Sequence, residues 1–164
     1  MNRTQLDHIL KTHHREAYLW ARQCCSFDEE LAKDVLQQVF LKILEGKAKL
    51  KEEAKAKTWI FSIIRYTAID QLRKGGKLVS MEGIEEIAYK DEEIDSTDYE
   101  AIISLLPRMQ QEVILMVFYH QMTIGQSAEV LQISLGTART HYERGKKKLK
   151  ELISIAQTQA QNGK

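Results

Sequence analysis

Apolar residues recur at a helical period along most of the chain, and the intervals where they stop divide it into three blocks. In residues 4–24, Leu6, Ile9, Leu10, Ala17, Leu19, Trp20 and Cys24 fall close to a 3.6-residue period, which predicts an amphipathic helix. Ser26-Phe-Asp-Glu29 has the S-x-x-E form of a capping box and predicts the start of a second helix. There Leu31, Val35, Val39 and Ile43 recur every four residues, with Leu36, Phe40 and Leu44 beside them. A stripe that wide must be buried. Gly46 ends it, and Gly46–Lys57, rich in lysine with only Leu50 and three alanines as apolar interruptions, reads as an exposed loop or helix start. The third helix, Lys57 to Lys74, carries Trp59, Ile60, Phe61, Ile63, Ile64, Tyr66, Ala68, Ile69 and Leu72 on more than one face. Such a helix is either central to a bundle or offers an apolar face to something else. Gly75-Gly76 stops it.

From Gly75 to Asp98 the period is lost, and turn formers and acidic residues predict a linker. Periodicity returns from Tyr99 to Ile155. Leu106-Pro107 suits a helix start, and Val113, Ile114, Met116, Val117 and Phe118 continue it. Thr123-Ile-Gly-Gln126 is a capping box of the T-x-x-Q form and opens a short helix to about Leu131. Gln132-Ile133-Ser134 then makes a tight turn, with Ser134 a good N-cap for a long basic helix from Leu135 to about Ile155. The polar tail 157–164 is expected to be disordered.

The expected fold class is therefore all-α: two small helical domains, residues 1–74 and 99–156, joined by a linker over 75–98. A single proline among 164 residues agrees with long helices. No apolar run reaches the ~18–20 residues of a membrane span, and the N-terminus has no signal-peptide core. A cytoplasmic protein is expected. Neighbouring Cys24 and Cys25, with His13 and His14, do not match a zinc spacing, so a structural or incidental role is expected and no metal or cofactor. No catalytic cluster or phosphate loop is recognisable, which argues against an enzyme or a small-molecule substrate.

Charge changes the picture. The formal net charge of +1 gives no reason to suspect nucleic acid. Yet residues 1–80 carry a net +5, residues 81–100 a net −8 and residues 101–164 a net +4. Two basic blocks flank an acidic strip. The second block holds the helix-turn-helix spacing over 124–143. Ala128 is the small residue at the helix crossing, and Leu131, Ile133 and Ala138 form the core between the helices. The second helix exposes Thr137, Arg139, Thr140, His141, Arg144, Lys146, Lys147, Lys148 and Lys150. Hydroxyls and arginine near its N-terminus suit base edges, and the lysines suit phosphate.

Leu106-Pro107 followed by Gln111-Glu-Val-Ile-Leu115, then Ser134-x-Gly136-Thr137-Ala138-Arg139-Thr140, resembles region 4 of bacterial sigma factors. Asp34-Val-Leu-Gln37-Gln-Val-Phe40-Leu41 is similar to their D-x-x-Q-E-x-F helix of region 2. Lys57-Thr-Trp59-Ile-Phe61-x-Ile63-x-Arg65-Tyr-x-Ala68-Ile69-Asp70-x-Leu72-Arg73-Lys74 resembles their W-L-x-x-I-A-R-N-x-A-I-D-x-L-R-R segment. Order and spacing suit the small extracytoplasmic-function group. The resemblance implies binding of RNA polymerase core through Asp34, Gln37, Gln38 and Leu41. It implies minus-ten DNA contact and melting through the Gly46–Lys57 loop and Lys55, Lys57, Trp59, Arg65, Tyr66, Arg73 and Lys74. It implies minus-thirty-five contact through Ser134, Thr137, Arg139, Thr140, His141, Arg144 and Lys147. It also admits an anti-sigma factor as partner. For Trp59 a core position is an equal alternative. The acidic strip is either an inert tether or a nucleic-acid mimic for basic polymerase channels. The chain departs from the pattern at Gln38 (usually Glu), Tyr66 (usually Asn), Ser127 (usually apolar), Gln132 (usually Gly), His141 (usually Arg) and Glu143 (usually basic or His). The alternative function is a self-contained helix-turn-helix regulator with a dimerising or sensing N-terminal bundle.

Overall fold

The computed structural model describes residues 2–75 and 99–162, so most of the acidic strip, residues 76–98, lies outside the described residues. The described residues form seven α-helices and no strand. They fall into two units, one built on the first three helices, the other holding most of the chain from Tyr99 on.

The first unit is a three-helix bundle: α1 (Arg3–Cys24), α2 (Glu29–Leu44) and α3 (Ala56–Lys74), with a single 3-10 turn, Glu53–Lys55, ahead of α3. α1 opens with a reciprocal cap, in which the Gln5 amide donates to Asn2 Oδ1 and the Asn2 amide to Gln5 Oε1. The expected cap at Ser26 does not form. Ser26 and Phe27 have φ of 55° and 65°, and the N-cap of α2 is Asp28, whose carboxylate accepts from the Leu31 amide at 3.1 Å. Ser26 instead closes α1. The Phe27 amide returns to Arg22 O at 2.8 Å, a Schellman ending that needs one left-handed residue. Gly46, at φ 75°, ends α2 in the same way, with Lys47 N donating to Lys42 O.

The core is centred on Trp20 and Phe61. Both are fully buried, their rings stacked with centroids 5.2 Å apart. The Trp20 indole N–H donates to Phe61 O at 3.0 Å, so the buried polar atom has a partner. Val35, Val39 and Ile43 of α2 and Ile60, Ile64 and Ala68 of α3 complete it. Cys24 and Cys25 are buried in this unit.

From Tyr99 on, the chain, most of it in the second unit, forms α4 (Tyr99–Ile103), α5 (Arg108–Ile114), a π-helical turn at Leu115–Tyr119, α6 (Ile124–Leu131) and α7 (Leu135–Asn162). Ile102, Val113, Ile114, Met116 and Ala138 are its most buried apolar residues. α5 crosses α7 closely: a Cβ on Gly145 would stand 3.0 Å from Ile114 Cγ1 and 3.2 Å from Gln110 Cβ. A side chain at this position would require Ile114 and Gln110 to move by a few tenths of an ångström. The expectation of a disordered tail needs correction, because α7 continues through residues 157–162. Gln and Ala are good helix formers, and a helix already nucleated extends at little cost.

Candidate nucleic-acid and partner interfaces

In the second unit the expected helix-turn-helix forms with both caps in place. The Thr123 amide donates to Gln126 Oε1 at 2.9 Å and the Gln126 amide donates to Thr123 Oγ1 at 3.0 Å. Thr137 N donates to Ser134 Oγ at 3.1 Å, opening α7. Two departures from the pattern are accommodated locally. Ser127 is buried, and its hydroxyl donates to Thr123 O at 3.0 Å, so no polar group is stranded. Gln132 takes φ 57° at the turn, with its side chain exposed, while Ile133 N returns to Ala128 O.

The outward face of α7 carries Thr137, Arg139, Thr140, Arg144, Lys146, Lys147, Lys148 and Lys150, all exposed, while His141 is half-buried. Glu143 is also exposed. Ala138, fully buried, sets which side faces inward. The Thr140 hydroxyl donates back to Gly136 O at 3.0 Å, which fixes its rotamer and keeps lone pairs outward. Sequence pattern missed one contact here: Tyr142 stacks against Phe118 at 5.9 Å, with Lys146 Nζ 5.0 Å from its ring. That aromatic pair ties the π-turn to α7, and nothing in helical periodicity marks it.

In the first unit the candidates separate by burial. On α2, Asp34 and Gln37 are exposed, Gln38 is half-buried and Leu41 is 49% exposed. Gln38 Nε2 donates to Asp34 Oδ2 at 3.2 Å, and Gln71 Nε2 of α3 donates to Gln38 Oε1 at 2.9 Å. An amide at position 38 can do both, whereas a carboxylate there would repel Asp34. Gln37 and Leu41 line a groove of about 500 Å³ between α1 and α2, whose walls include Tyr18, Leu36, Phe40 and Leu44. The groove was not visible in the sequence, because it needs α1 beside α2.

On α3, Tyr66, Arg73 and Lys74 are exposed and Trp59 is half-buried, as is Lys57; Lys55 of the preceding turn is exposed. Trp59 thus belongs neither wholly to the core nor wholly to the surface. Lys57 pairs with Glu16 of α1 at 2.6 Å, and Lys74 with Asp70 at 3.2 Å. Arg65 corrects the sequence expectation: it is 9% exposed and held by a neighbour, so it does not belong to an outward nucleic-acid face. Beside Lys57, burial holds the His13 pKa below its ordinary value, with Glu16 opposing and Lys57 adding to the depression.

Comparison with known proteins decides what these two units are. Residues 9–78 match the family described as Sigma-70 region 2, and residues 96–149 match Sigma-70, region 4. The chain belongs to the sigma-70 family. With regions 2 and 4 alone spanning most of its length, it has the form of the extracytoplasmic-function group. Among its relatives, ECF RNA polymerase sigma factor SigM of Mycobacterium tuberculosis is 22% identical over 96% of this chain and 81% of that protein. RNA polymerase sigma factor YlaC of Bacillus subtilis is 24% identical over 92% of each chain. In the solved structure of sigma factor RpoE with anti-sigma factor NepR from Bartonella quintana, the sigma chain is 18% identical. It matches at a TM-score of 0.72 over 92% of this chain and 97% of that one, which establishes a shared fold. Among the described residues of this sigma factor, no helix is long and apolar enough to cross a membrane.

Proposed function

We propose that this chain is an alternative sigma factor that binds RNA polymerase core, directs it to particular promoters and helps open the minus-ten element. One observation carries this reading: a region 2 bundle and a region 4 helix-turn-helix occur in that order in one chain. Asp34, Gln37, Gln38 and Leu41, beside the α1–α2 groove, meet the polymerase. Lys55, Lys57, Trp59, Tyr66, Arg73 and Lys74 meet the minus-ten strand. Ser134, Thr137, Arg139, Thr140, His141, Arg144 and Lys147 meet the minus-thirty-five duplex, where the N-terminus of α7 enters the major groove. The protein acts in the cytoplasm, performs no catalysis of its own, and is a target for an anti-sigma factor.

In vitro transcription with sigma-free core on a promoter library tests the reading. The expected result is enrichment of a promoter class that core alone does not transcribe. A chain that binds its DNA site tightly without core, and adds no transcription with it, would instead be a self-contained regulator.

A further inference from the structure

α1 and α3 bring together three titratable side chains, two of which the function proposed above does not use. His13 and Glu16 are one helical turn apart on α1, and Lys57 is the second residue of α3. Lys57 Nζ stands 2.6 Å from Glu16 Oε2, with the two side chains 28% and 44% exposed, and 5.9 Å from the centroid of the Phe61 ring. His13 is half-buried, and its Nδ1 is shut off from solvent with no hydrogen-bond partner among the described residues. Glu16, from its own helix, and Lys57, from α3, are the charged groups that act on it.

One carboxylate cannot satisfy two cations. With His13 neutral, Glu16 and Lys57 cancel each other's charge, and a phosphate that approaches Lys57 meets Glu16 as well. Burial holds the His13 pKa below 6.5, with Glu16 opposing and Lys57 adding to the depression, so the ring takes its proton only in more acid solution. Protonation then sets an imidazolium against the Lys57 ammonium, and the repulsion is relieved when one of them moves. His13 is fixed on the face of a packed helix. Lys57 carries its charge on a long flexible stem, and a partly exposed ion pair is a weak tie. Lys57 is therefore the cation that leaves.

We propose that His13, Glu16 and Lys57 form a proton-operated latch that controls how strongly the first unit grips promoter DNA. With His13 neutral, Glu16 holds Lys57 against α1. With His13 protonated, Glu16 pairs with the imidazolium and Lys57 is released to a phosphate of the unpaired strand. Acidification opens the latch, and by linkage the bound promoter makes His13 easier to protonate. This inference rests on the sigma-factor reading above.

Two measurements test it. In the full chain without polymerase, proton NMR follows the titration of the His13 ring. Lys57→Gln should move its midpoint up and Glu16→Gln should move it down, since the first removes a repelling charge and the second an attracting one. A midpoint that ignores both changes overturns the latch. In holoenzyme of the full chain with core polymerase, affinity is measured against salt at about pH 7.5 and about pH 5.5, on either side of the ordinary histidine value. The probe is fork DNA with the minus-ten element recovered from the library and no minus-thirty-five element, so that His141 takes no part. On acidification the slope of log affinity against log salt should steepen by about 0.7 more in wild type than in His13→Gln, the mark of one further phosphate contact. Glu16→Gln should show the steeper slope already at the higher pH, and Lys57→Gln at neither. Tryptophan fluorescence equal to wild type shows that each variant keeps the bundle. Slopes that steepen equally in wild type and His13→Gln overturn the latch and leave the three residues as a structural contact. A holoenzyme that recognises no promoter overturns the sigma-factor reading and the latch with it, whereas promoter recognition with equal slopes overturns the latch alone.

Discussion

Arg65 and Tyr66 occupy consecutive positions of α3, one buried and the other 70% exposed. A helix turns about 100° per residue, so a motif read along the sequence interleaves core and surface positions. Arg65 belongs to the bundle; Tyr66, Arg73 and Lys74 belong to the face. At the same scale His13 couples the bundle to pH. Its pKa is depressed in the folded state, so the unfolded chain takes up a proton more readily. Its contribution is fully present above the ordinary value of 6.5 and is lost as pH falls from there towards the lowered one. Both tryptophans, Trp20 and Trp59, lie in the first unit, so tryptophan fluorescence follows that unit within the full chain. The urea midpoint should fall between about pH 7.5 and 5.5, and His13→Gln should flatten that fall. An equal fall in the variant would place the pH response elsewhere.

At the scale of elements, three helices end by one device. α1, α2 and α6 each close with a left-handed residue and a returning amide, at Ser26, Gly46 and Gln132. Only Gly46 announced itself in the sequence, since glycine is the residue with no Cβ cost in that conformation. At Gln132 that cost is about 1–2 kcal/mol, partly offset by the greater entropy glycine would lose on folding. Gln132→Gly should therefore stabilise the second unit by about 0.5–1 kcal/mol, readable as slower amide exchange in α6 and α7. Gly145 works in the opposite sense. Its lack of a side chain lets α5 and α7 touch, and Gly145→Val should cost at least about 2 kcal/mol, seen as a lower thermal midpoint by circular dichroism. The cap at Ser134 predicts a smaller effect: Ser134→Ala should cost about 1 kcal/mol.

At the scale of the molecule, the net charge of +1 is a sum over parts with different partners. The +5 and +4 stretches coincide with regions 2 and 4, and the −8 stretch lies between them. If the two regions divide the work, their surfaces fail separately. Arg139→Glu with Arg144→Glu should abolish promoter-specific transcription, since each reversal replaces a phosphate or base contact by repulsion, while core binding in a pull-down stays intact. Substituting Asp34 and Gln37 should weaken the pull-down instead. Equal loss of both activities from the α7 changes would contradict the division.

The sequence determined the elements. Period and glycines placed α1 to α3, and period with capping residues placed the helix-turn-helix and the basic face of α7, because these depend on neighbours within one turn of helix. What the tertiary structure decided is which residues on those elements are available. Arg65 turned inward, Trp59 stayed half-buried, Ser26 closed a helix and did not open one, and Gln38 joined Gln71 across two helices. The groove at Leu41 and the pairing of Lys57 with Glu16 exist only once helices pack, since each is made by residues far apart in the chain. Local pattern carries period, but exposure and contact are properties of the packed bundle.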